Sequence, residues 1–225
     1  MPITDSTRDR IVAAAQAEFA QHGIAGARVD RIAQAARTSK ERVYAYFRGK
    51  EELYRLVAAQ VLAEIADAVP MDPADLPGYA AGLFDYFTVH PDRFRFVSWG
   101  HLELDSGAPG RDVADPYGQA MAGKIETIRA AQKARKLDPT WDPADICVLV
   151  SQIATAWIGL PEVASLGRPG ATERAVAERR ATVVRSVQAL FPTGGAGKSR
   201  RKTAEAVVRG LPADDQGSQE SARVT

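Results

Sequence analysis

Apolar residues recur along this chain at intervals of three and four, and no bounded run alternates apolar with polar positions. The pattern predicts helices throughout and leaves no place for a strand. The first helix is expected to begin near Asp5–Arg8, with Asp5 or Ser6 as its cap. It carries Ile11, Ala15 and Phe19 on one stripe and should end at Gly23. Two short helices follow at 29–36, with Val29, Ile32 and Ala36 on one side, and at 40–48, with Ser39 as N-cap. Helices this short do not persist alone, so the stripe of the first helix is their natural cover.

A longer helix over 50–69 places Leu53, Leu56, Val57 and Ile65 near one stripe and stops at Pro70. Further helices are expected near 74–89, 91–105, 114–136, 143–159 and 172–190. Pro91, Pro109-Gly110, Pro139, Pro161 and Pro169-Gly170 punctuate them. After Phe191-Pro192 large apolar residues become sparse, and 193–225 reads as a mostly disordered tail. The fold class is all-α. No internal repeat is evident.

Placed on a helix, residues 39–48 bring Val43 and Phe47 together, while Glu41, Arg42, Ala45 and Arg48 point broadly the other way. With the preceding "IAQAA" and the intervening "RTS", this makes two short helices joined by a tight turn. In that helix-turn-helix arrangement the second helix enters a DNA major groove. The apolar positions seat the helix. Arg42 and Glu41 present hydrogen-bonding groups to base edges, and Tyr44, Tyr46 and Lys50 reach phosphates. The competing reading of the same pattern is a solvated helical pair.

Charge supports a local rather than a global polyanion surface. The 225 residues carry a formal net charge of +1, yet 1–50 hold nine cations against five anions, a local excess of +4. The composition, 45% hydrophobic and 25% charged, is that of a soluble globular protein. The single cysteine, Cys147, excludes an internal disulfide and a multi-cysteine zinc site, and reads as a small buried hydrophobe. "MPITDSTRDRIV" has no signal-peptide apolar run. The longest apolar stretch, "ICVLVSQIATAWIGL", is interrupted by Ser151 and Gln152 and is too short for a membrane span. A cytoplasmic protein with no membrane partner is expected.

The stretch "IVAAAQAEFAQHGIAGARVDRIAQAARTSKERVYAYFRGKEELYRLV" resembles the DNA-binding domain of the tetracycline-repressor (TetR) family of bacterial transcriptional regulators. Phe19, Gly23, Val29, Ile32-Ala33, Ala36, Ser39, Tyr44, Tyr46-Phe47, Lys50 and Leu53 carry the likeness. The resemblance implies a helix-turn-helix DNA-binding domain over 1–50 and a larger helical ligand-binding and dimerisation domain over 51–192. It implies a dimeric, ligand-responsive regulator, a repressor binding a pseudo-palindromic double-stranded operator, with phosphate contacts from Tyr44 and Lys50. The candidate DNA-facing set is Arg28, Arg37, Thr38, Ser39, Lys40, Glu41, Arg42, Tyr44, Ala45, Tyr46 and Lys50.

Two positions depart from the family pattern. Arg37-Thr38 stand where glycine and a small apolar residue are usual, and Ala27-Arg28 where a threonine or serine precedes helix 2. A non-glycine residue in a left-handed turn costs about 1 kcal/mol, which is tolerable, and the Arg37 charge suits a phosphate.

The remainder is less specific. Tyr79, Leu83, Phe84, Tyr86, Phe87, Phe94, Phe96 and Trp99 lie close in sequence, with Trp141 and Trp157 able to join them. They read as an aromatic-lined cavity or as ordinary bundle core. Tyr86, Phe87, Phe94, Trp99 and Trp157 are the candidate ligand contacts for an effector of unknown identity. His101 and Asp105 share a helical face, with Glu103 between them, and fit a surface ion pair better than a ligand set. His90, before Pro91, sits at a helix end that favours an imidazolium. No metal or cofactor is called for, and no phosphate-binding glycine loop, Gly-x-Ser-x-Gly or His-Glu-x-x-His supports an enzyme. The helices at 143–159 and 172–190 match the pair that forms the homodimer in the resembled family. Packing within the chain is the other use for them.

Overall fold

A computed structural model describes residues 6–104, 115–162 and 172–192. Among the described residues nine helices follow one another without a strand: α1 (Thr7–Gly26), α2 (Val29–Ala35), α3 (Lys40–Tyr46), α4 (Lys50–Ala68), α5 (Leu76–Val89), α6 (Pro91–Leu104), α7 (Pro116–Lys133), α8 (Pro143–Gly159) and α9 (Glu173–Leu190). The tail at 193–225, Asp105, Pro109-Gly110 and Pro169-Gly170 lie outside the described residues.

Local chemistry explains the starts. Ser6 and Asp9 form a reciprocal capping box on α1, at 3.2 Å in each backbone direction. The Ser39 hydroxyl accepts from the Arg42 N–H at 3.2 Å on α3. Asp115-Pro116 and Asp142-Pro143 start α7 and α8 in the same way, a carboxylate taking the free N–H groups while proline occupies the first turn. Each such cap contributes about 1 kcal/mol.

Two ends fall short of the sequence expectation. α3 stops at Tyr46, two residues early, because Phe47 adopts an extended backbone and turns into the core, where it is 3% exposed. α7 stops at Lys133 rather than at 136, because Arg135 sits in the left-handed region at φ 58. There the Arg135 N–H donates to Gln132 O and the Lys136 N–H to Ala131 O, both at 2.9 Å. This is a Schellman closure built without the glycine that usually signals one.

The core begins where α1 was expected to cover α2 and α3. Ile11, Ala15 and Phe19 are fully buried with Ile32, Val43 and Leu53. α1 packs on α4 and on α6. Phe96 of α6 is fully buried, stacked at 5.1 Å on Tyr54 and edge-on to Phe19 at 6.5 Å. Below, α5 packs between α8 and α9 through buried Leu83, Phe84, Val150, Ala154, Val183 and Val187. No helix among the described residues is long and apolar enough to cross a membrane.

Candidate nucleic-acid interface

The turn between α2 and α3 is a second Schellman closure. The Arg37 N–H donates to Gln34 O at 3.1 Å and the Thr38 N–H to Ala33 O at 2.9 Å, with Arg37 left-handed at φ 52. Arg37 thus takes the strained position anticipated for it, and its side chain is exposed. Arg10 of α1 reaches the same corner, Nε donating to Ala36 O at 3.2 Å. The corner fixes the angle at which α3 leaves α2.

Beyond the turn, α3 has the two faces the periodicity implied. Val43 is buried at one side, while Glu41, Arg42, Tyr44, Ala45 and Tyr46 are exposed at the other. Tyr44 and Tyr46 are 48% and 41% exposed, unusual for aromatics in a folded chain and suited to a partner surface. The Arg42 guanidinium lies 5.7 Å from the Tyr46 ring centre one turn on, a contact that holds it extended along the exposed face. Glu41, in the first turn, has its carboxyl below the usual range because its own backbone N–H and Ser39 hydrogen-bond to it.

Other members of the candidate set have work within the fold. Lys40 is paired with Asp30 of α2 at 3.1 Å, and that hydrogen bond raises the lysine pKa. A phosphate would compete for this exposed ammonium. Lys50 Nζ donates to Ala25 O at 3.2 Å and to Ala27 O at 3.4 Å, so it ties α4 to the end of α1. Ser39 caps α3, and Thr38 is half-buried in the turn.

The departure at Ala27-Arg28 has a structural answer that sequence reading missed. Arg28 is the N-cap of α2 and supplies no side-chain cap. Instead Glu18 of α1, 8% exposed, accepts from the Arg28 backbone N–H and from Arg31 Nε, each at 2.8 Å, with His22 3.8 Å away. Burial pushes the Glu18 carboxyl up. The Arg31 and Arg28 hydrogen bonds and the charges of Arg31 and His22 more than offset it, leaving the group below its ordinary 4.5. The signal was present: Glu18 falls on the Ile11, Ala15, Phe19 side of α1, where a charge requires a partner.

Glu18→Gln is expected to lower stability at neutral pH by about 1–3 kcal/mol. A carboxyl with a depressed folded pKa stabilises above its unfolded value, here 4.5, and that contribution is lost as pH falls through the folded pKa. Urea unfolding between pH 7 and pH 3 should therefore show a shallower acid loss in the variant. Parallel curves for the two proteins would count against this role.

The body meets this unit at a second point. Gly23 breaks α1 with φ 68 and ψ −176, and the freed N–H groups of Ile24 and Ala25 both donate to Glu103 Oε2 of α6, the latter at 3.0 Å. Trp99 of α6 packs directly over Gly23. Beside it the Tyr54 and Tyr117 hydroxyls share a hydrogen bond of 2.9 Å beneath Gly100, and burial pushes Tyr54 up to about 12.

The candidate ligand contacts do not form one group. Tyr86, Phe87 and Phe94 cluster, with ring centres 5.5 and 5.8 Å apart along the series and His90 4.7 Å from Tyr86. Trp99 belongs to the Gly23 contact, and Trp157 lies under the Arg179 guanidinium at 5.7 Å. Trp141 packs on Phe191 at 5.1 Å. His101 sits edge-on to Tyr117 at 5.4 Å. Cys147 is buried, its thiol pushed up by burial and drawn partly back by the Lys124 charge. No group of three or more metal-ligating side chains occurs among the described residues.

Comparison with known proteins agrees with this geometry. Residues 11–57 match the family model described as bacterial regulatory proteins, tetR family, and residues 75–188 match the tetracyclin repressor-like C-terminal domain. The chain is 33% identical over 159 residues to the HTH-type transcriptional repressor SCO4008 of Streptomyces coelicolor, covering 71% of this chain and 82% of that protein. It is 33% identical over 152 residues to the HTH-type transcriptional repressor NicS of Pseudomonas putida, covering 64% and 69%. The crystal structure of SCO4942 from Streptomyces coelicolor superposes with a TM-score of 0.69 at 49% identity, over 84% of this chain and all of that one.

Proposed function

Because this chain belongs to the tetR family of bacterial regulatory proteins, we propose that it represses transcription as a homodimer on an inverted-repeat operator and is released by a small-molecule effector. The observation that carries the DNA-reading part is α3. Its apolar side is locked into the core while Arg42, Tyr44 and Tyr46 stand exposed on the other. In this reading Arg42 and Glu41 address base edges. Arg28, Arg37, Thr38, Lys40, Tyr44, Tyr46 and Lys50 hold the phosphates, with Ser39 and Ala45 at the DNA surface. Repression follows the two relatives, each described as a repressor.

DNA binding is assigned to 1–50, and effector binding and dimerisation to 51–192. The last two helices favour a dimer. α8 exposes Val148, Gln152, Ala156 and Gly159 along one stripe, Val148 at 54%, and α9 exposes Ala177, Ala181 and Gln188. Two copies of this largely uncharged surface can pack about a two-fold axis. The paired α3 helices would then enter major grooves about 34–36 Å apart, or a multiple of that. An effector that favours a different spacing weakens DNA binding by its differential affinity for the two forms. α4 and the packing of α6 on α1 link the body to the helix-turn-helix.

Ala156→Glu is expected to give a monomer in sedimentation and to weaken operator binding by at least about 100-fold, since each half-site is then bound without its neighbour. A variant that remains dimeric, or a monomer with undiminished affinity, would remove the two-fold arrangement.

A further inference from the structure

We propose that α5, α7 and α8 build, around Tyr79 and Lys124, a binding site for a small organic carboxylate with an apolar body. The inference rests on the reading of the chain as effector-responsive and names the chemistry of the effector. Tyr79 is 4% exposed, and its hydroxyl is the buried side-chain polar atom that lacks a hydrogen-bond partner among the described residues. Buried without a partner, that hydroxyl has given up water and received nothing in return. A phenylalanine would fill the same space, so the hydroxyl is surplus to packing and available as a donor.

The second element is a cation in the same place. Lys124 of α7 is half-buried, and its ammonium stands 5.9 Å from the Tyr79 ring centre. It is close enough to Cys147 for its charge to act on the thiol. A half-buried ammonium beside the ring of an unpartnered phenol supplies the charge and the directed donor that a carboxylate requires. The same three helices carry apolar and sulfur side chains: Leu83 is one turn beyond Tyr79, Cys147 and Val150 are buried on α8, and the Met121 sulfur is 4.0 Å from the Cys147 sulfur. They suit a hydrocarbon or aromatic body.

In this proposal entry is by way of α7. Gly123 lies inside this helix where an added Cβ would meet nothing within 4 Å, so packing does not require glycine there. Its effect is to loosen the turn that carries Met121 and Lys124. Both are long, unbranched side chains that change rotamer readily.

The test is calorimetric titration of the full chain with benzoate and octanoate, and with the neutral benzamide and octanamide. At least one acid should bind about tenfold more tightly than its amide. Tyr79→Phe should weaken acid binding about fivefold or more without lowering the melting temperature, and Lys124→Met should erase the preference for acid over amide. Failure of both acids to bind at millimolar concentration, equal binding of acid and amide, or an unaffected Tyr79→Phe overturns the site. So does a destabilised Tyr79→Phe, which would make the hydroxyl structural. Either reading can fail alone: acid binding through Tyr79 without operator binding removes the regulatory reading, and operator binding without acid binding removes this site.

Discussion

Gly23→Ala is expected to destabilise the protein by about 3 kcal/mol or more and to abolish high-affinity DNA binding. Two separate costs add. The backbone at φ 68 and ψ −176 belongs to a region that only glycine occupies freely, and placing an L-residue there costs about 1–3 kcal/mol. The new Cβ would also strike the Glu103 carboxylate and lie 3.0 Å from Trp99, an overpacking cost of about 1–3 kcal/mol. Relief by either route moves the end of α1, which Lys50 ties to α4. Trp99→Ala in the same chain would relieve only the 3.0 Å contact and leave the Glu103 clash and the backbone part, so the double variant should recover none of the stability lost. Denaturant unfolding measures both. A Gly23→Ala protein as stable as wild type would show that the break in α1 is incidental.

Arg42→Ala is expected to flatten base preference at the operator positions it reads, with a loss of about 1–3 kcal/mol on the preferred sequence and little on others. Lys50→Ala should behave differently. A lost phosphate contact weakens all sequences alike and reduces the salt slope by about one, while the loss of its bonds to Ala25 and Ala27 also lowers folding stability. Competition binding against a randomised operator at several salt concentrations, beside unfolding curves, separates the two patterns. Identical effects of both substitutions on every sequence would contradict the division between reading and positioning.

The helices were legible in the sequence because their ends are marked by local chemistry. Ser6 and Ser39 announced starts, and the Ile11, Ala15, Phe19 stripe identified the cover for α2 and α3; the Asp115-Pro116 and Asp142-Pro143 caps went unused in the sequence reading. The end of α7 was not legible, since Arg135 adopts a left-handed conformation that nothing in its own chemistry favours. At the interface, the polar face of α3 followed from periodicity. The partners of Glu18 and Glu103 did not, because which groups meet a carboxylate is set by how the helices pack and not by periodicity. For the same reason the aromatic run from Tyr79 to Trp99 could not be apportioned. Adjacent in sequence, its members serve the Phe19 core, the Gly23 contact and the α5–α6 cluster separately.

In the proposed function the exposed face of α3 reads a DNA sequence twice, about a two-fold axis. Selection from random duplex DNA by the purified ligand-free protein at near-physiological salt, with sequencing of the retained fraction, tests it most directly. Enrichment of an inverted repeat whose half-sites lie about 10 base pairs apart, centre to centre, or a multiple of that, is expected. Retention of no preferred sequence by protein shown to be folded would contradict it.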